Sequence, residues 1–364
     1  MTTRKALLEA HNLVVKRGGT EVLRIPEFDL REHETVALIG PNGTGKSSLM
    51  LALAGLLQLA AGEIRYHGDP IILSGDTTAF RRRIAMVFQE PLLFDATVYD
   101  NVASGLKLRG ISAIETRARV ESCLERFRIT HLAGRSARRL SGGEAQRTSL
   151  ARAFATKPEV ILLDEPFVSL DPPTRQVLMD DLEQVLRESG TTALIATHDQ
   201  LEALRLADRM AVMHEGRIVQ SGTPAAVMNE PANAFVATFV GMENILTGTI
   251  VSAGGGLLSL EVAGKSLEIV GSGAAGERVV LCAHPEHVVV TTIDPDHRTS
   301  ARNVFSGTVT RIVPLGPVNK VYLDCGFPLV AAVTGQSLAE LQLAVGSRIF
   351  ASFKATSVRL FRKG

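Results

Sequence analysis

No charge of one sign dominates the sequence: 39 Lys and Arg residues stand against 38 Asp and Glu, a formal net charge of +1. That balance excludes a global basic field for nucleic acid and an acidic composition suited to solvated disorder. The one local basic cluster, Arg81-Arg82-Arg83, reads as solvated surface rather than a nucleic-acid patch. Cysteine is scarce as well. Cys123, Cys282 and Cys325 are far apart, odd in number and without zinc-ligand spacing, so neither a disulfide framework nor a zinc site is expected. They read as small core residues in a reducing compartment. Long hydrophobic runs are missing too. The longest, Leu49 to Leu57, ends at Gln58 and is about half of what a bilayer crossing needs. The N-terminus has no apolar stretch and cleavage site of a secretory signal. The expectation is a soluble, cytoplasmic chain whose membrane role, if it has one, comes through partners.

What the sequence does have is two halves of different texture and a length that suits two or three domains. Up to about residue 240, the short apolar runs TVALIG (35–40), VILLD (160–164) and TTALIAT (191–197) alternate with helix-like segments. Runs rich in Val, Ile and Leu suit strands buried on both faces of a parallel sheet, which predicts an α/β domain. After about residue 243, short alternating segments are broken by Gly, Pro, Asn and Asp, which predicts an all-β module. The boundary is expected between Phe239 and Ile245. The β stretches 245–292 and 300–362 read as halves of one module or as two small ones, with no internal repeat evident.

Four motifs carry chemistry. GPNGTGKS (40–47) is G-x-x-x-x-G-K-[ST] between a predicted strand and a predicted helix. Gly40, Pro41, Asn42, Gly43, Thr44 and Gly45 form a loop whose glycines let backbone N–H groups wrap a phosphate. Lys46 supplies a point charge to the β- and γ-phosphates, and Ser47 a hydroxyl for Mg²⁺; Ser48 stands with them at the helix N-terminus. VILLDEP (160–166) ends a dry strand in two acids. Asp164 suits Mg²⁺, and Glu165 suits orienting or deprotonating an attacking water. TTALIATHD ends in His198, whose ring can donate to the γ-phosphate, while Asp199 reads as a helix N-cap. LSGGEAQR (140–147) reads as a capping box of Ser141 and Glu144. Gly142 and Gly143 cost such a helix up to about 1 kcal/mol each, which close backbone approach to an anion explains.

Together these residues resemble the nucleotide-binding subunit of the ATP-binding cassette transporter family. GPNGTGKS, Gln89 of MVFQEPLLF, LSGGEAQR, VILLDEP, SLDPP and ATHD stand in the family's order over residues 1 to about 235. The resemblance implies a P-loop cassette with a parallel-rich central sheet and a helical subdomain at about 90–155. It implies ATP and Mg²⁺, with Gln89 joining Ser47 and Asp164 at the metal. It also implies a head-to-tail pair of copies in which Ser141, Gly142 and Gly143 of one face ATP on Lys46 of the other, with Asp171 beside that interface. Asp171 reads equally as an N-cap with Pro172 behind it. Where the family usually places an aromatic residue for adenine, Gly18 stands, flanked by Arg17, whose guanidinium plane offers a stacking surface.

The segment after Gln89 resembles importers more than exporters, and Leu92, Leu93, Phe94 and Val98 suggest an apolar patch for a transmembrane permease. An extracytoplasmic substrate-binding protein would take part indirectly. The C-terminal half resembles an oligonucleotide/oligosaccharide-barrel-like regulatory module, with His284 of HPEHVVV in place of an arginine. TSARNVFSGTVTRIVPLGP and ASFKATSV resemble small molybdate-binding modules. Ser300, Arg302, Asn303, Lys354 and amides near Gly316 and Ala355 supply donors without carboxylates, which a tetrahedral dianion needs. The expected function is ATP-driven import of molybdate or tungstate. Alternatives are the same engine for sulfate, ferric ion, polyamine or sugar, a soluble cassette ATPase, or an oxyanion sensor.

Overall fold

The computed structural model describes residues 4–73, 75–294 and 299–362. The chain forms two compact units divided between Val227 and Met228.

In the first unit, β1 (Ala6–Arg17) and β2 (Thr20–Arg31) pair antiparallel along most of their length. β3 (Thr35–Ile39) leads into α1 (Lys46–Leu53). β4 (Ala61–Tyr66) pairs with the free side of β1, and the two-residue β5 (Asp69–Pro70) pairs with β4. A single turn, α2 (Thr78–Arg81), precedes β6 (Ile84–Val87). Three helices follow: α3 (Val98–Leu108), α4 (Ala113–Arg126) and α5 (Gly142–Ala155). They are the helical subdomain expected at about 90–155. The chain returns as β7 (Val160–Asp164), α6 (Pro172–Ser189), β8 (Thr192–Thr197) and α7 (Gln200–Leu206). β9 (Arg209–His214), β10 (Arg217–Gly222) and α8 (Pro224–Asn229) follow, with the division of the units inside α8.

The central sheet has the order β10-β9-β3-β8-β7-β6, parallel except for β10. Every residue of β7 and β8 is buried, because α1 and the antiparallel sheet of β1, β2 and β4 cover one face, helices cover the other, and no wet side is left. This topology brings the carboxyl ends of β3, β7 and β8 to one edge, where ligands of open α/β sheets bind. Three of the four motifs leave the sheet there, and LSGGEAQR instead opens α5.

The second unit begins with α9 (Ala234–Phe239), which packs through Ala237 on Met242 and Cys282. The unit division therefore falls ahead of the expected Phe239–Ile245 boundary, because this short helix buries its apolar face within the second unit. One five-stranded sheet holds β11 (Asn244–Gly254), β12 (Leu257–Val262), β13 (Lys265–Val270) and β14 (Arg278–Ala283). The other holds β15 (Val289–Thr291), β16 (Asn303–Leu315), β17 (Val318–Asp324), β18 (Pro328–Thr334) and β19 (Arg348–Phe353). A short α10 (Gly335–Glu340) links β18 to β19, and β20 (Arg359–Arg362) ends the chain.

The sheet orders are β13-β12-β11-β14-β20 and β18-β17-β16-β19-β15. These are the same arrangement twice, with the last strand of each half exchanged into the other sheet. The expectation of no internal repeat is therefore corrected. ENILTGTIV (243–251) corresponds to RNVFSGTVT (302–310), and a one-turn 3-10 helix precedes each exchanged strand. One apolar core spans both sheets, so the halves make one module. Each half also clips the other's edge. Asn303 takes the Glu268 N–H on Oδ1 and gives Nδ2 to the Glu268 carbonyl, both at 2.8 Å, on the outer strand β13. Asn244 does the same to Val330 on the outer strand β18, at 2.6 and 2.9 Å. An asparagine amide thus stands in for the missing neighbouring strand.

Candidate nucleotide site

The loop Gly40–Gly45 is shaped by contacts that only glycine allows at two positions. A Cβ on Gly40 would lie 2.3 Å from the Met213 carbonyl oxygen, and one on Gly45, at φ +103°, would lie 2.7 Å from Leu23. Thr44 Oγ1 donates to the Pro41 carbonyl at 2.9 Å and tightens the turn. Lys46 is buried and opens α1; its Nζ donates to the Gly40 carbonyl at 2.7 Å and the Pro41 carbonyl at 3.3 Å. Its ammonium also stands 3.4 Å from Glu165 Oε1. Glu165 adopts φ +46°, unusual for a residue with a side chain, while its N–H donates to the Ala196 carbonyl at 2.9 Å. On its other side, Glu165 Oε2 lies 2.8 Å from His198 Nδ1. Glu165 and His198 directly follow the neighbouring strands β7 and β8, and Lys46 follows the loop after β3 beside them.

A cleft of about 400 Å³ opens on this group, lined by Asn42, Gly43, Ser47, Gln89 and Arg17 among others. A larger cavity, about 660 Å³, lies at the amino ends of β7 and β8, away from every motif. Chemistry and not size locates the site. Burial pushes the Asp164 carboxyl above its ordinary range, against the Ser47 hydroxyl and Lys46, which favour ionisation. Asp164 Oδ1 is buried without a hydrogen-bond partner among the described residues. An unpartnered carboxylate oxygen beside a serine hydroxyl is the oxygen donor set of a hard divalent cation, so these residues fit Mg²⁺.

Ser141 caps α5: its hydroxyl accepts from the Glu144 N–H, and Glu144 accepts from the Ser141 N–H at 2.8 Å. The two glycines differ. A Cβ on Gly143 would lie 3.0 Å from Thr174 Cγ2, so that position is crowded by α6 and the threonine methyl would have to give way, whereas Gly142 has only Ser169 O at 3.9 Å. Gly143 therefore has a structural reason of its own, which Gly142 lacks. Asp171 caps α6, and the Thr174 hydroxyl and N–H hold its carboxyl below the ordinary range. Leu92 and Phe94 are exposed, but Val98 is fully buried in the helical core, because it is the first residue of α3 and faces α4 and α5. The expected apolar patch is thus corrected by that residue. Arg152 holds the rest of it, donating to the Leu92 carbonyl at 2.8 Å and lying over the Phe94 ring.

Residues 23–168 match the family model described as "ABC transporter". A molybdate/tungstate import ATP-binding protein of Pyrococcus abyssi is 38% identical over 93% of this chain and 96% of its own. The chain belongs to the ATP-binding cassette family of import ATPases. A ferric-ion import ATP-binding protein of Streptomyces coelicolor is also 38% identical, over 90% of this chain and 92% of its own. Among solved structures, cbiO1 of Clostridium perfringens, described as part of an ABC transporter complex, has a TM-score of 0.58 and 32% identity. It covers 66% of this chain and 96% of its own. An ATP-binding cassette dimer in a post-hydrolysis state with ADP and phosphate has a TM-score of 0.55 and 28% identity, covering 60% of this chain and 99% of its own. The import ATPase binds and hydrolyses ATP on an α/β cassette, and residues 299–360 match the TOBE domain model in its all-β half.

In that half, Asn303 pairs with Phe353, the residue before Lys354, so these two of the candidate oxyanion residues stand on adjoining strand ends. Asn303 is nevertheless spent. It is buried and both ends of its amide bond β13, so its expected role as an anion donor is corrected to that of an edge clip. Arg302 pairs with Glu268 at 2.9 Å, while Ser300 and Lys354 are exposed. Sequence reading missed Asn244, Arg175 and Glu202. For Asn244, the signal was its match to Asn303 in the second half.

Proposed function

We propose that this ATPase energises import of molybdate or tungstate, as a pair of copies bound to transmembrane permease subunits on the cytoplasmic face. The observation that carries the hydrolytic reading is Glu165 held between Lys46 and His198 at 3.4 and 2.8 Å. Water attacks the γ-phosphorus in line with the leaving ADP oxygen, Glu165 accepts its proton, and Lys46 and His198 donate to the γ-phosphate oxygens. Ser47 and Asp164, with Gln89, would hold Mg²⁺, which supplies charge neutralisation between the β- and γ-phosphates. Ser141 and Gly142 of the second copy complete the phosphate shell, with Asp171 beside it. Gly40, Pro41, Asn42, Gly43, Thr44, Gly45 and Ser48 shape the cradle, and Arg17 lies where the base stacks. Leu92, Leu93 and Phe94 beside Gln89 receive the permease. No helix among the described residues is long and apolar enough to cross a membrane, which suits a peripheral subunit.

The cargo reading is supported by the Pyrococcus relative and by the exposed Lys354 beside the start of β16, where Arg302 is paired with Glu268. Calorimetric titration of the whole chain with molybdate, tungstate and sulfate tests it, with Lys354→Ala as control. Binding of the first two that is lost in the variant supports both cargo and cytoplasmic sensing. No binding of either overturns the sensing site, and transport assays with ferric ion and polyamine then decide the cargo.

A further inference from the structure

The His198 ring meets Glu165 and is half exposed, so its position depends on the backbone around it. That backbone is held on both flanks. Thr197 donates to the buried Glu202 Oε2 at 2.6 Å and accepts from the Asp199 N–H at 3.0 Å. Asp199 Oδ1 caps α7, accepting from the Leu201 N–H at 2.8 Å and the Glu202 N–H at 3.3 Å. Its other oxygen, Oδ2, lies 3.5 Å from Arg175 Nη1. Arg175 belongs to the first turns of α6, and its Nη2 donates to the Leu170 carbonyl at 3.3 Å. One planar guanidinium therefore spans from the residue ahead of Asp171 to the residue behind His198. No hydrolytic role accounts for it.

We propose that Arg175 is a positioning residue that ties His198 to the Leu170–Asp171 segment, so that engagement of the second copy at Asp171 sets the hydrolytic geometry at Glu165. This rests on the dimeric ATPase reading above. The coupling runs through a contiguous chain, Asp171–Leu170–Arg175–Asp199–His198, in which the two outer links are peptide bonds and the two inner ones are contacts of the Arg175 guanidinium.

Steady-state ATP hydrolysis by the parent, Arg175→Ala, Arg175→Lys, Asp171→Ala and the Arg175→Ala/Asp171→Ala double variant tests it. Arg175→Ala should lower kcat about ten- to a hundredfold, the scale of a small misplacement of a catalytic group, with KM for ATP changed by less than about twofold. Its Hill coefficient for ATP should fall to about one. Arg175→Lys keeps the charge but not the fork, and should stay impaired. The double variant should be no slower than the slower single variant, because both changes break one path. Multiplying effects, full rescue by lysine, or unchanged kcat and cooperativity in Arg175→Ala would overturn the proposal. If Arg175→Ala unfolds, Asp199→Asn keeps the α7 cap while weakening the charged contact, and the same outcomes decide. Glu165→Gln is the control: hydrolysis at the parent rate there removes Glu165 as the general base, and with it the hydrolytic reading above, not the coupling.

Discussion

Glu165 adopts a left-handed backbone conformation that costs a side-chain-bearing residue about 1 kcal/mol or more. The strain is held by the N–H bond to Ala196 and places one carboxylate between a cation and an imidazole. Glu165→Gln keeps shape and removes the base. It should cut hydrolysis by at least about a hundredfold and leave ATP affinity intact, as read by single-turnover kinetics and fluorescent-nucleotide binding. Glu202 makes a second prediction at this scale. Burial pushes its carboxyl above the ordinary range, against the Thr197 hydroxyl. The folded state therefore holds its proton to higher pH than the unfolded chain, and this residue's contribution to stability falls as pH rises above the usual glutamate range. Glu202→Gln, neutral throughout, should gain in Tm relative to the parent between pH 5 and 8, with the gap closing on acidification.

At the scale of elements, α5 and the strand edges make separate predictions. Gly142→Ala meets only an ordinary contact with the Ser169 carbonyl and should raise stability by up to about 1 kcal/mol through helix propensity, while lowering hydrolysis that needs the second copy. Gly143→Ala meets Thr174 at 3.0 Å and should destabilise instead. Melting curves with ATPase rates for both variants separate an anion-facing glycine from a packing one. In the β module, Asn303→Ala leaves the Glu268 N–H and carbonyl without the bonds they make to the side chain. The cost should be about 2–3 kcal/mol in urea unfolding, and Asn244→Ala should cost a similar amount at the opposite edge.

At the scale of the whole molecule, two units carry separate apolar cores. Scanning calorimetry should show two transitions. A ligand that binds only the folded state stabilises its own unit, by about 2.7 kcal/mol at a hundred times Kd. ATP with Mg²⁺ should therefore raise the transition of the first unit and leave the second in place, and molybdate should do the reverse. A single transition shifted equally by both would contradict this.

The sequence by itself determined whatever is written in contiguous residues. The phosphate loop, the Asp164–Glu165 and His198 strand ends and the Ser141 cap are each local: a few neighbouring residues set the turn, the cap or the buried run. The α/β class and the change to β structure were legible for the same reason, because hydrophobic period is a local property. Only the tertiary structure decided which distant residues meet. The repeat in the β half was hidden because its halves share few identities and exchange their last strands, so neither half closes its own sheet. Asn303 resembled an anion donor until β13 came beside it, and Val98 resembled surface until α4 and α5 covered it. Arg175 has no signature of its own; its meaning arises where the end of β8 and the start of α6 come within reach of one guanidinium. Those contacts join segments far apart in the chain, and long-range packing, which no local pattern encodes, selects them.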